Sequence, residues 1–198
     1  MPSEDTARAR PRTALPTGLI GGSEKRVIRI VPPDPSWPER FAAERNRIRA
    51  RLGPRALRID HVGSTSVPGL AAKAIVDIDL SVDDVDDEDT YLPDLLAAGY
   101  VLRVRNVGHL MVRTPEIDVQ VHVCPGGGEW ERQHLLFRDH LRRDDADRRL
   151  YQALKLRLAR QDWDDTNAYA QAKGPLIAEI MVRAEKWASA TGWRVSQA

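Results

Sequence analysis

The stretch 61-HVGSTSVPGLAAKAIVDIDLSV-82 joins a turn of small residues to a strand that carries two acids. Apolar and polar residues alternate over residues 75–82, so Asp77 and Asp79 share one face of the strand, about 7 Å apart. Strands are depleted in aspartate, and like charges this close repel each other. A positive partner is therefore expected between the two acids. The plainer alternative, acids that keep an edge strand soluble or that pair with arginine, stays open.

Gly63 and Ser64 precede the acids and have the properties of a phosphate-binding turn. Glycine permits a tight turn and a close ligand, and the serine hydroxyl and nearby N–H groups can hold phosphate oxygens. Carboxylates are the hard oxygen ligands that suit Mg²⁺ or Mn²⁺. A phosphate-binding turn followed by paired acids predicts phosphoryl or nucleotidyl transfer, in which the cation stabilises the attacking and leaving oxygens.

A third acid follows on a second candidate strand. The segment 117-IDVQVHV-123 alternates without a fault, which predicts a strand with valines on one face and polar residues on the other. Asp118 lies on the polar face. We expect a neighbouring strand to bring it within reach of Asp77 and Asp79, which would complete a cage of three carboxylates.

Other catalytic motifs are not supported. Lys73 neither follows a glycine nor precedes Ser or Thr, so the phosphate loop of NTPases is not matched, and no G-x-S-x-G or G-x-G-x-x-G motif is present. His122 and Cys124 have no second pair at zinc spacing. The four remaining histidines are expected to be structural or surface residues.

Composition limits the class of protein. The 198 residues hold 30 Lys and Arg against 29 Asp and Glu, a formal net charge of +1, which argues against nucleic acid as a main partner. The single Cys124 excludes an internal disulfide. No run approaches the roughly 18 apolar residues of a membrane span, and the N-terminus lacks the apolar core of a signal peptide. We therefore expect a cytoplasmic protein with no membrane partner.

The order of elements predicts the fold class. Residues 1–25 are rich in Pro, Gly, Ser and Thr and are expected to be a disordered tail. Residues 26–198 form one predicted domain. Its strands and helices are mixed up to about residue 124 and almost wholly helical afterwards, which is typical of an α+β fold with a mixed sheet, flanking helices and a helical C-terminal third.

The opening stretch resembles the hallmark of the GrpB-like proteins, a family of predicted nucleotidyltransferases. The resemblance covers nearly everything after the tail, through four further motifs: 31-VPPDPSWPERFAAE-44, 134-HLLFRDHLRR-143, 151-YQALKLRLA-159 and 169-YAQAKGPLI-177. The family resembles in turn the polymerase-β-type nucleotidyltransferases, whose signature is a Gly-Ser turn, a spacer, Asp-x-Asp on a strand and a third acid. A similar domain is also fused behind dephospho-CoA kinase in some bacteria.

The resemblance implies a nucleotidyltransferase-like core and a role for each matching residue. Asp77 and Asp79 would bind Mg²⁺ or Mn²⁺, and Asp118 would complete the cage or act as general base. Residues in the turn and basic residues inside the other motifs would hold the nucleotide; these are Gly63, Ser64, Thr65, Lys73, Arg138, Lys155 and Lys173. Each basic residue is equally plausible as a surface charge or an ion-pair partner.

Two functions are consistent with the sequence. The first is a metal-dependent nucleotidyltransferase that moves an NMP group from an NTP to a small-molecule or protein acceptor. The alternative is a non-catalytic accessory module that binds a nucleotide or a precursor of coenzyme A. The sequence leaves the NTP, the acceptor and the oligomeric state open.

Overall fold

The computed structural model describes residues 17–196 and contains a six-stranded sheet with helices on both faces. The strands are β1 (Gly18–Leu19), β2 (Arg58–Val62), β3 (Val76–Val82), β4 (Val101–Asn106), β5 (His109–Arg113) and β6 (Val119–Pro125). The α-helices are α1 (Ser36–Leu52), α2 (Leu92–Ala97), α3 (Glu129–Arg143), α4 (Asp145–Leu158), α5 (Thr166–Gln171) and α6 (Gly174–Thr191). The predicted α+β class and the helical C-terminal third are confirmed.

The sheet is mixed, with strand order β1-β4-β5-β6-β3-β2. Only β3 and β6 pair in parallel, and every other pair of neighbouring strands is antiparallel. A hairpin joins β4 to β5 through Val107 and Gly108, and the positive φ of Gly108, 70°, suits glycine. Because β3 lies between β2 and β6, its polar side chains have neighbours from two strands.

The two faces of β3 are buried against different helices. Val76, Ile78 and Leu80 pack with Trp37 and Ile48 of α1 in the largest apolar cluster, which follows from the alternation of apolar residues along the strand. On the opposite face, the acids of β3 face α3 and α4. This second face carries the polar chemistry described below.

The start of the described chain differs from the predicted tail. Within residues 1–25, Gly18 and Leu19 pair with β4, and the Ile20 N–H donates to the Arg103 carbonyl at 2.9 Å. Residues 1–16 of that prediction lie outside the described residues. None of the helices within residues 17–196 combines the length and the apolar character needed to cross a bilayer.

Candidate active site

A cavity of about 490 Å³ lies between the polar face of β3 and β6 and the C-terminal helices. Its polar and aromatic lining includes Gly63, Ser64, Lys73, Asp77, Gln120, His122, Trp130, His134, Tyr151, Lys155, Tyr169 and Lys173. This volume is in the range of small-molecule sites. A second cavity, of about 690 Å³, holds none of the residues predicted for the site.

Gly63 fixes the approach of the turn to the acids. Its φ of 65° and ψ of −168° fall in a region that is essentially restricted to glycine. A Cβ atom built on it would overlap the Oδ2 oxygen of Asp77. The Ser66 hydroxyl donates to the Gly63 carbonyl at 2.7 Å and closes the turn. Glycine is therefore required here both for its conformation and for its contact with the carboxylate.

Each acid of β3 faces a histidine. The Oδ1 of Asp77 lies 3.9 Å from Nε2 of His122, and the Oδ2 of Asp79 lies 2.9 Å from Nδ1 of His134. The side chain of Asp77 is 29% exposed to the cavity, whereas that of Asp79 is 1% exposed. Asp77 is thus the acid that a ligand meets first, and Asp79 lies beneath His134.

The charges at Asp77 and His122 support each other. Burial alone would lower the pKa of His122, but the neighbouring carboxylates of Asp77 and Asp79 outweigh it and raise this pKa. Burial would raise the pKa of Asp77, yet His122 and the lysine ammonium groups lower it. The pair is consequently held as an ionised carboxylate beside an imidazole that retains its proton more readily than a free one.

Three predicted lysines reach the same cavity. Lys155 is buried and donates from Nζ to Ser64 Oγ at 3.0 Å. Lys73 and Lys173 place their ammonium groups 5.6 Å and 5.0 Å from the centre of the Tyr169 ring. Burial, assisted by the other two ammonium groups, lowers the pKa of Lys155 to about 7. A cavity that penalises clustered positive charge in this way favours an anionic ligand.

The lowered pKa of Lys155 predicts a pH dependence of stability. The folded protein releases this proton near pH 7, whereas the unfolded chain keeps it to about 10.5. The unfolded state binds more protons between those values, so the free energy of unfolding rises with pH there, by at most about 1.4 kcal/mol per unit. Urea titrations from pH 7 to 10 should show this component in the wild type and not in Lys155→Met. A wild-type-minus-variant difference that is constant with pH would contradict it.

Four residues predicted for the site do not line the cavity, and one of them is Asp79, which is buried beneath His134. Asp118 precedes β6 and is bound by Arg40 of α1 at 3.0 Å and by the Thr114 hydroxyl at 2.6 Å. The predicted alternation stops at Ile117, whose φ of 61° turns the chain before the strand begins. This turn separates the Asp118 carboxylate from the polar face of β6.

Arg138 and Thr65 are also engaged elsewhere. Arg138 contacts Asp60 at 3.4 Å and Asp139 at 2.7 Å. Thr65 is buried, with its hydroxyl 3.0 Å from Nε2 of His61. Both side chains hold the elements around the turn together, and neither lines the cavity.

Within residues 17–196, three possible metal ligands converge at one place. Three donor atoms meet only at His140, Asp144 and Asp147, outside the cavity. There, Arg183 donates to Asp147 at 2.7 Å, and the N-cap residue Asp144 accepts from the Asp147 N–H in the first turn of α4. An arginine and a helix cap therefore account for that cluster. In the cavity, the donors stand as acid–histidine pairs.

The histidines and aromatic residues of the cavity were not predicted from the sequence. The alternation that predicts Asp118 on the polar face of its strand also predicts His122 on that face. His134 and Trp130 come from α3, and only the packing of that helix on the sheet places them here. Trp130 stacks on His109 with ring centres 4.3 Å apart.

Comparison with known proteins places this chain among close relatives. Residues 27–183 match the family model described as GrpB protein. A UPF0157 protein of Streptomyces coelicolor is 47% identical over 182 residues, covering 92% of this chain and 97% of the relative. A UPF0157 protein of Halalkalibacterium halodurans is 41% identical over 190 residues, with the same two coverages.

A solved structure and an enzyme are also similar. The conserved protein GrpB from Enterococcus faecalis superposes with a TM-score of 0.71 at 30% identity, covering 80% of this chain and 98% of that one. The dephospho-CoA kinase of Mycolicibacterium paratuberculosis is 34% identical over 196 residues. The match covers 84% of this chain and 48% of the kinase, so this chain corresponds to about half of that enzyme.

Proposed function

The chain belongs to the GrpB family, and from the cavity in its fold we propose that it is a nucleotidyltransferase. It would move an NMP group from an NTP to a small-molecule or protein acceptor. One observation carries the proposal: the carboxylate of Asp77 and the ammonium groups of three lysines line one cavity large enough for a nucleotide. Cations for the phosphates and an acid for a metal are the two requirements of this chemistry.

The lysines would bind the triphosphate. Lys73, Lys155 and Lys173 supply positive charge from two sides of the cavity, and Ser64 adds a hydroxyl beside Lys155. The negative charge of a triphosphate would offset the repulsion between these three ammonium groups. Its binding would return Lys155 to the charged form, because an anion raises the pKa of a neighbouring ammonium group.

Two carboxylates would hold the cation. Asp77 lines the cavity and Asp79 lies on the same face of β3 beneath His134, and their oxygen donors fit Mg²⁺ or Mn²⁺ in donor type. A bound cation would stabilise charge on the attacking and leaving oxygens. Neighbouring residues of the chain would orient the two carboxylates, because Gly63 packs against Asp77 and His134 contacts the carboxylate of Asp79.

The proposed reaction is a displacement at the α-phosphorus of the NTP. A nucleophilic oxygen or nitrogen of the acceptor forms a bond to this phosphorus, and the bond to the oxygen bridging the α- and β-phosphates breaks. Pyrophosphate leaves with that electron pair, and the proton of the acceptor passes to a base. The ring of Trp130, which is 38% exposed, offers a stacking surface for the nucleobase or the acceptor.

A second candidate is the non-catalytic module that binds a nucleotide or a precursor of coenzyme A. The placement of Asp118 and the burial of Asp79 favour it, because Asp77 is then the one predicted acid that lines the cavity. The dephospho-CoA kinase among the relatives suggests the precursor. This module would use the same lysines for phosphate and would need no cation.

Thermal unfolding with ligands separates the two. Each of four NTPs and dephospho-CoA is added at saturation, with Mg²⁺, with Mn²⁺ or with EDTA. The transferase predicts stabilisation by an NTP only with the metal, by about 2.7 kcal/mol at a hundredfold excess over Kd. Equal shifts in EDTA would support the module instead. No shift with any nucleotide would contradict both.

A further inference from the structure

We propose that Ser64 is a nucleophile that takes the NMP group from the NTP, and that Lys155 is the base that removes the proton of its hydroxyl. The inference rests on the proposed function, because it assumes that an NTP binds in the cavity. It goes further by naming the first acceptor, which is a hydroxyl of the chain itself. The transfer then takes two steps through a covalently modified Ser64.

The side chains of Ser64 and Lys155 form a nucleophile–base contact at the wall of the cavity. Oγ and Nζ are 3.0 Å apart, and both residues line the cavity. This distance is within the range expected for a nucleophile and its general base. Lys155 is oriented by a third group, because its Nζ also donates to the Ala71 carbonyl at 2.5 Å. Nucleophile, base and orienting group are the parts of an activated serine, and a lysine serves as the base in some of them.

Helix α4 holds this contact in place. Tyr151 and Lys155 are four positions apart and therefore share a face of α4, and the Nζ of Lys155 lies 4.8 Å from the centre of the Tyr151 ring. The side-chain oxygen of Gln152 accepts the Ala71 N–H at 2.8 Å. Both polar backbone groups of Ala71 are thus bound by α4, which fixes the loop that carries Ser64.

Lys155 is the neighbour that can accept the proton. Burial first, and then the ammonium groups of Lys173 and Lys73, lower the pKa of Lys155 to about 7. The carboxylate of Asp77 opposes part of this effect. Near neutral pH, much of the amine is therefore uncharged and has a free lone pair, as in other lysines that act as general bases. Burial raises the pKa of the adjacent Tyr151 to about 12, so this phenol keeps its own proton.

The electrophile that fits this cavity is an anhydride of phosphoric acid. Lys73 and Lys173 line the same cavity as the Ser64 hydroxyl, and their positive charges suit phosphate oxygens. A triphosphate bound by these two groups would bring a phosphorus electrophile into the cavity that contains the nucleophile. A neutral ester or amide would make no use of these charges.

The first step transfers the NMP group to Ser64. The proton of the hydroxyl passes to Nζ of Lys155, Oγ forms a bond to the α-phosphorus, and the bond to the oxygen bridging the α- and β-phosphates breaks. Pyrophosphate leaves with that electron pair, and Ser64 carries the NMP as a phosphodiester. In the second step, an oxygen or nitrogen of the acceptor attacks the same phosphorus and releases its own proton to solvent. The Ser64 oxygen leaves and takes back the proton from Lys155.

Covalent labelling is the direct test. The full chain is incubated with each of four NTPs, radiolabelled at the α- or at the γ-phosphorus, with Mg²⁺ or Mn²⁺ and with no added acceptor. We expect label from the α-position alone, release of pyrophosphate, and peptide mapping that places the NMP on Ser64. Labelling should fall by about a hundredfold or more in Ser64→Ala. Thr65→Val is the matched control and should keep the label, because it removes a neighbouring hydroxyl that is bound to His61 outside the cavity.

Two further readouts distinguish a base from a cation that only binds phosphate. Lys155→Arg keeps a positive charge but cannot accept a proton near neutral pH, so it should keep most of the thermal shift with NTP and lose the label. In the wild type, the rate of labelling should rise with pH as Lys155 loses its proton. The apparent pKa of this rise should be 7 or higher, because a bound triphosphate raises the pKa of a neighbouring ammonium group.

The outcomes separate this inference from the proposed function. If an NTP stabilises the wild type with metal but no covalent NMP forms, Ser64 is not the nucleophile, and direct transfer to an external acceptor stands. Label that survives in Ser64→Ala, or that maps to another residue, overturns the inference in the same way. Label on Ser64 that survives in Lys155→Arg, or whose rate does not rise with pH, overturns the role of Lys155. If no NTP shifts thermal unfolding, the inference and the proposed function both fail.

Discussion

Asp77→Asn is expected to remove the metal-dependent part of NTP binding and to lower NMP transfer by about a hundredfold or more. The asparagine has the same shape, so it can keep the contact with Gly63 that positions the turn. It lacks the negative charge that would attract a cation and that interacts with the lysines in the cavity. The measurements are the thermal shift with NTP and metal, and the release of pyrophosphate once an acceptor is found.

Asp118→Asn is the matched control, because the sequence pattern assigns both acids to one site and the structure separates them. Asp118 pairs with Arg40, and both side chains are more than a third exposed, so the loss of stability should be about 1 kcal/mol or less. Metal-dependent NTP binding should remain. If Asp118→Asn were as damaging as Asp77→Asn, the separation of the two acids would be wrong.

Gly63→Ala is expected to lower the free energy of unfolding by about 3 kcal/mol. The strain of an L-residue in this backbone region costs about 1–3 kcal/mol, and the added Cβ must also displace the carboxylate of Asp77. Nucleotide binding should weaken together with stability, because the displaced acid is the one open to the cavity. Urea denaturation measures the first effect and thermal shift with NTP the second.

Gly69→Ala separates strain from contact. Gly69 also has a positive φ, of 76°, but a Cβ there would meet nothing within 4 Å. The variant should lose about 1 kcal/mol and keep nucleotide binding. If Gly63→Ala were no worse than Gly69→Ala, the contact between Gly63 and Asp77 would have no energetic weight.

Local sequence patterns were sufficient for the elements and for part of the cavity. Alternation predicted β3 with Asp77 and Asp79 on one face, and the small-residue turn placed Gly63 beside them. These predictions succeed because alternation and backbone conformation are properties of a few adjacent residues. Lys73, Lys155 and Lys173 followed from the family resemblance and line the cavity as expected.

The remaining placements depend on distant partners. Arg138 pairs with Asp60, 78 residues earlier, and no local pattern announces that pair. The turn at Ile117 places Asp118 beside Arg40, and alternation alone does not predict this turn. His134 acquires its role only when α3 packs on the sheet. The sequence was enough to predict the elements. It was not enough to predict which side chains pair with each other across the fold.

The parallel pairing of β3 with β6 has a consequence for how the protein is made. The pairing places Asp77 opposite Gln120. Lys155 likewise contacts Ser64, although the two residues are 91 positions apart in the sequence. Contacts so distant along the chain form late, because a long loop must close before they contribute. During synthesis, the turn, Lys73 and the acids leave the ribosome long before Lys155 and Lys173. The cavity is therefore complete only when the last helices dock, and a nascent chain cut short before α4 would carry the acids and Lys73 without Lys155 and Lys173.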